Sequence, residues 1–194
     1  DEEHEEDIMR MGGVREDDLY DAVLDTTRSR FSWLFVNLLT AIVASAVIGL
    51  FDATLDEIVA LAILMPIVAS MGGNAGTQTL TVVVRALAMK ELTATNTTRL
   101  VGKEVLVGCA NGLVFAVLTG GVVWGWFGNP MLGGVIAIAM VVNMLVAGLA
   151  GTVIPLILDR NDIDPAIASS VFLTTITDVV GFFVFLGLAA LILL

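Results

Sequence analysis

Five long apolar runs constrain this chain more than any other feature: Phe31 to Leu50, Ile58 to Ala86, Val105 to Phe127, Leu132 to Leu158 and Ala166 to Leu194. An α-helix needs about 20 such residues to cross the hydrocarbon core of a bilayer. Inside that core backbone groups find no water, so only helices and closed barrels can span it. The runs are continuously apolar and lack the period-two alternation of a barrel strand. The sequence therefore predicts an all-α membrane protein with five transmembrane helices. Composition agrees, with 15% charged residues and a mean hydropathy of +0.94, whereas a soluble domain is about 25% charged. No secretory signal peptide is visible at the start.

The bases orient the bundle. All nine Lys and Arg lie before the first span (Arg10, Arg15, Arg28, Arg30), between the second and third (Arg85, Lys90, Arg99, Lys103) or after the fourth (Arg160). The positive-inside rule makes these regions cytoplasmic, so the N-terminus is predicted inside and Leu194 outside. The opposite loops, "FDATLDE" and "GNP", carry no base. Five spans cannot divide into two equal inverted repeats, a common way to build a pathway from one chain, and no internal repeat is visible. A pathway between subunits, most simply in a twofold homodimer, is the expected geometry.

Residues 1–27 differ from the spans. The first 25 residues hold eleven of the twenty Asp and Glu. Ile8, Met9 and Met11 among these acids predict a short amphipathic helix ending at Gly12-Gly13, followed by a linker; a merely solvated charged face is the alternative. The abrupt acidic start reads as the cut end of something longer, leaving 28–194 as the membrane domain. Cys109, beside small residues, is expected to be a buried thiol, and His4 a solvated side chain. Met65, Met71, Met140 and Met144 are expected to fill gaps between helices. One Cys and one His make no soft-ligand set for copper or zinc.

Apart from Arg85 at a helix end, the ionisable residue well inside an apolar run is Asp178, in "TTITDVVGFF". It lies roughly 20 Å along the helix that starts near Pro165. A carboxylate at that depth costs at least ~2.5 kcal/mol, which points to a site facing water or an ion. A structural carboxylate bonded to a neighbouring helix is the alternative. The second run carries a matching irregularity, "PIVASMGGNAGTQT". It is about 43 Å long if regular, longer than the bilayer core, so it is expected to tilt, bend or break near Pro66, Gly72, Gly73 and Gly76. Unwound backbone at membrane depth must be buried in protein or line a water-filled cavity, where its carbonyls can hold cations. Close helix packing on the glycines is the competing reading.

These segments resemble the MgtE family of magnesium channels. The family's second helix bears a Pro followed by G-N-x-G-x-Q, here Pro66, Gly73, Asn74, Gly76 and Gln78. Its fifth helix carries D-P-A and T-x-x-D-V-x-G, here Asp164, Pro165, Ala166, Thr175, Asp178, Val179 and Gly181. The likeness extends over essentially the whole chain, with "WLFVNLLTA" in the first span. This chain carries Thr77 and Ser170-Val171 where members of the family can carry Asn and Asn-Pro. The resemblance implies a homodimer with a pore on its twofold axis, lined by the second and fifth helices. It implies that Asp178 binds a hydrated Mg²⁺, with the carbonyls of Gly73 and Thr174 and the side chain of Thr77 assisting and Asn74 in the same signature. It also implies upstream regulatory and CBS domains in the full-length protein, joined through a plug-like helix that "EEDIMRMGGV" resembles.

Magnesium suits such a site because it keeps several waters and is commonly held through one or two carboxylates. Manganese and cobalt fit the same residues. A secondary transporter exchanging a divalent cation for Na⁺ or H⁺ is the rival reading, since broken helices and a midplane acid serve carriers equally well. With one membrane-embedded aspartate and no embedded histidine, an intramembrane protease lacks its nucleophile and base. The expected partners are Mg²⁺, the lipid bilayer and a second copy of the chain; no enzyme activity and no nucleic-acid partner are expected.

Overall fold

A computed structural model describes residues 9–14 and 22–194. Within residues 22–194 six helices follow in order: α1 (Val23–Gly49), the short α2 (Asp52–Glu57), α3 (Val59–Ala88), α4 (Ala94–Phe127), α5 (Pro130–Arg160) and α6 (Pro165–Ile192). The described residues contain no strand. Five of the helices, all but α2, are long and apolar enough to cross a membrane, so the expected spans are all present.

Local chemistry places the helix ends beyond the apolar runs. The Thr93 hydroxyl accepts the Asn96 amide at the start of α4, eleven residues before Val105. Asn129 caps α5 by accepting the Met131 and Leu132 amides, with Pro130 pre-set in the first turn. Asp164 caps α6 in the same way, through the Ala166 amide at 2.9 Å, followed by Pro165. Gly128 ends α4 with φ +65°, the left-handed conformation that glycine adopts without strain. The three base-bearing regions all lie at one end of the bundle, called here the base-rich end.

α5 forms the centre, packed against α3, α4 and α6. Its seam with α4 is made of small residues. A Cβ on Gly108 would come within 2.7 Å of the Met144 carbonyl oxygen, and one on Gly133 within 2.7 Å of the Gly120 carbonyl oxygen. Such backbone approaches are how membrane helices gain contact where lipid supplies no hydrophobic drive between them. Leu61, Leu64, Val68, Ile136, Phe185 and Leu186 fill the core of the half away from the base-rich end. Leu80, Val84, Ala150, Ala166 and Leu173 form a second core near the base-rich end. Met140 and Met144 are buried against Ala116, with Met71 alongside, and Met65 is buried in the larger core, as gap-filling residues should be. Cys109 is half-buried rather than buried, because α4 lies on the outside of the bundle. α1 is the most peripheral span; it rests on α6 and buries only Ala44.

Within residues 9–14, Met9 to Met11 are helical and the chain turns at Gly12 and Gly13. Met11 packs on the core at the base-rich end, and the Arg10 guanidinium meets the Asp164 carboxylate at 3.4 Å. A Cβ on Gly13 would lie 3.3 Å from the Trp33 ring, which brings this turn against α1. Ile8 and His4 lie outside the described residues.

Candidate functional site

α3 is one continuous helix from Val59 to Ala88, with Pro66 inside it. Of the expected tilt, bend or break, no break occurs, and Gly72 and Gly76 pack closely against neighbouring side chains. A Cβ on Gly76 would lie 2.7 Å from Leu173 Cδ1, and the amide of Asn143 occupies the space beside Gly72. Gly73 is different, since a Cβ there would meet nothing within 4 Å. Pro66 still removes one amide donor from the ladder, leaving the Ala62 carbonyl without its usual partner.

The other face of α3 is polar and exposed. Ser70, Asn74, Thr77 and Thr81 recur at helical spacing and are all exposed, with Gln78 beside them. Within the stripe, Asn74 donates weakly to the Ser70 hydroxyl at 3.4 Å, Thr77 to the Gly73 carbonyl at 2.8 Å, and Thr81 to the Thr77 carbonyl at 2.8 Å. α6 presents a shorter stripe with a four-residue repeat: Ser170, Thr174 and Asp178. The Thr174 hydroxyl donates to the Ser170 carbonyl at 2.9 Å. The Thr174 carbonyl in turn accepts from the Thr177 hydroxyl at 3.1 Å. Asp178 is half-buried, and among the described residues no hydrogen bond or ion pair to it is found.

Packing fixes the register of the two stripes. Gly76 lies against Leu173, while Val68, Gly72 and Gly181 surround the same Asn143 side chain. In this antiparallel arrangement the direct contacts of Gly76 with Leu173 and of Val68 with Gly181 put Asp178 near the depth of Met71 and Thr174 near that of Ala75, within about two turns of Gly73, Asn74 and Thr77. Gly73, Asn74, Thr77, Thr174 and Asp178 therefore share one zone of two adjacent helices. Thr77 uses the Gly73 carbonyl for its own hydroxyl, but a carbonyl oxygen has a second lone pair. Among the described residues no three His, Cys, Asp or Glu side chains gather as a metal-holding group. A cation at this level would draw on one carboxylate per chain, with carbonyls, hydroxyls and water for the rest.

Two polar residues escaped the sequence reading. Glu104 lies in α4 and is buried, with its Oε2 accepting from the Thr79 hydroxyl at 2.9 Å. It falls one residue before the apolar run that begins at Val105, so run boundaries alone hid it, and Asp178 is not the sole embedded carboxylate. Asn143, in the middle of α5, is fully buried and donates to the Val68 carbonyl at 2.9 Å. An uncharged amide does little to lower the hydropathy of a long run, which is why it drew no notice.

A family model described as a divalent cation transporter, MgtE, matches residues 65–188. The magnesium transporter MgtE of Bacillus subtilis is 36% identical over 160 residues, covering 82% of this chain and 36% of that protein. That of Thermus thermophilus is 34% identical over 191 residues, covering 97% of this chain and 42% of the relative. The magnesium transporter MgtE of Enterococcus faecalis is 34% identical, with 98% and 42% covered. The chain thus spans about two fifths of the length of the relatives it matches.

Proposed function

This chain belongs to the MgtE family of divalent cation transporters, and from that premise we propose that it forms the membrane pore of a Mg²⁺ channel. Two copies face each other across a twofold axis, α3 and α6 line the pathway, and Asp178 is the central ion-binding carboxylate. The single observation that carries this reading is the polar stripe within the spans, with exposed Ser70, Asn74, Thr77 and Thr81 on α3 beside exposed Thr174 and half-buried Asp178 on α6. Polar groups facing lipid are unfavourable, so such a surface is expected to face water, an ion or another protein chain.

The chemistry follows from the residue types. Mg²⁺ dehydrates reluctantly and keeps several waters when held by one or two carboxylates. Two Asp178 side chains across an axis would supply two negative charges to the hydrated ion. The Gly73 and Thr174 carbonyls, with Asn74 and Thr77, would accept from or orient its waters. Ahead of α1, Arg10 meets Asp164 at the start of α6 and Met11 packs on the nearby core, which couples this connecting segment to the pore helices.

Electrophysiology on the protein reconstituted in planar bilayers tests the reading. Single-channel currents carried by Mg²⁺, reversing at the Mg²⁺ equilibrium potential, are the expected result. A fixed exchange stoichiometry with Na⁺ or H⁺, without unitary currents, would replace the channel with a carrier.

A further inference from the structure

Three helices meet at one side chain. Asn143 is completely buried in α5, and its Nδ2 donates to the Val68 carbonyl of α3 at 2.9 Å. In a regular helix that carbonyl already accepts the Gly72 amide, so the Asn143 amide is a second donor to it. The side chain occupies the space a Cβ on Gly72 would take. On its other side a Cβ on Gly181 of α6 would come within 2.8 Å of the same Nδ2 and 3.1 Å of Cγ. Gly72 immediately precedes Gly73 and Asn74, and Gly181 is one residue short of a full turn beyond Asp178. The amide is thus a wedge between the segments of α3 and α6 that carry the ion-site residues.

Packing alone does not account for an asparagine here. Its Oδ1 is buried without a hydrogen-bond partner among the described residues. Leaving a buried acceptor unpaired is unfavourable, whereas an apolar residue of the same size would fill the space without that penalty. What asparagine offers and leucine lacks is a directional bond to the α3 backbone, which fixes where the wedge sits along that helix as well as how wide it is.

We infer that Asn143 is a positioning residue for the ion site: its amide, bonded to Val68 and seated between Gly72 and Gly181, sets the separation and register of α3 and α6 at Asp178. The inference rests on the proposed role of Asp178. Supporting groups around a metal site typically change affinity by about 10–100-fold when removed, without themselves touching the ion.

The test compares Asn143→Leu with Asp178→Asn in the full chain reconstituted in liposomes. Half-saturating Mg²⁺, maximal uptake rate and discrimination of Mg²⁺ against Ca²⁺ are measured, with thermal midpoints of the purified proteins as the control for folding. Asn143→Leu is expected to keep or raise the thermal midpoint, to raise half-saturating Mg²⁺ about tenfold, and to reduce discrimination against Ca²⁺. The paired change Gly72→Ala with Asn143→Ala refills the space from the other helix without restoring the bond. Should Asn143→Leu fail to fold, this pair takes its place, with the same loss of affinity expected. Wild-type Mg²⁺ affinity and discrimination in a folded variant of either kind, with Asp178→Asn impaired, overturns the positioning role and leaves the reading of Asp178 standing. Wild-type behaviour of Asp178→Asn overturns that reading and the positioning role with it.

Discussion

An ionised aspartate only accepts hydrogen bonds, so Asp178 at membrane depth needs donors, water or a cation around it. Asp178→Asn keeps the shape and one acceptor but removes the charge. Calorimetry on the folded variant is expected to show Mg²⁺ affinity reduced about tenfold or more; unchanged affinity would make the carboxylate structural. Because a ligating carboxylate must be deprotonated, wild-type binding should release protons and strengthen as pH rises. Titrations in two buffers of different ionisation enthalpy measure that release. Glu104 presents the opposite case, a buried carboxylate with a protein donor, the Thr79 hydroxyl at 2.9 Å. Thr79→Val deletes the donor and should destabilise the protein by about 1–3 kcal/mol, while Thr79→Ser keeps it and should lose less. Melting of the purified variants distinguishes the two.

Adjacent glycines in α5 separate packing from propensity at the level of the helix. A Cβ on Gly133 would lie 2.7 Å from the Gly120 backbone oxygen, whereas one on Gly134 would meet nothing within 4 Å. Backbone cannot step aside as a flexible side chain can. Gly133→Ala should therefore cost about 1–3 kcal/mol, and Gly134→Ala should be neutral or stabilise by up to ~1 kcal/mol through helix propensity. Equal effects on thermal midpoint would contradict the close α4–α5 seam. The start of α6 offers a second comparison. Asp164 both caps the helix through Ala166 and meets Arg10, in a pair that is 46% exposed on the arginine side and 36% on the aspartate side. The cap is worth about 1 kcal/mol, and an exposed pair about 0–1 kcal/mol. Asp164→Ala should accordingly destabilise more than Asp164→Asn, since asparagine also caps well.

Across the whole molecule, the polar stripes of α3 and α6 lie at the surface of a single chain, although α5 is buried on most sides. A second copy covering these stripes would bring the two Asp178 residues toward a common axis. With Cys109→Ala as background, single cysteines at Ser170 or Thr174 should cross-link across the axis in mild detergent. A chain that stays monomeric and still conducts would defeat the shared pore. Accessibility labelling of cysteines between Lys90 and Arg99 is expected from the cytoplasmic side, and of a cysteine at Asn129 from the opposite side. The reverse pattern would invert the orientation drawn from the bases.

The five spans and the prominence of Asp178 were determined by the sequence alone, because length and hydropathy in a bilayer leave the backbone few choices and a lone mid-span charge stands out against apolar neighbours. Segment ends were less legible: capping at Thr93 and Asp164 depends on local hydrogen bonds and not on hydropathy. Whether Gly72 and Gly76 break a helix or admit a neighbour could not be read from their positions. Only the tertiary structure decided it, by setting Asn143 beside the first and Leu173 beside the second. The same holds for Glu104, which looks like an interfacial residue in the linear chain and becomes buried because packing brings Thr79 of α3 to it. Hydropathy is a property of each residue in turn, whereas the meaning of a glycine or a buried polar group depends on which partner the fold places opposite it.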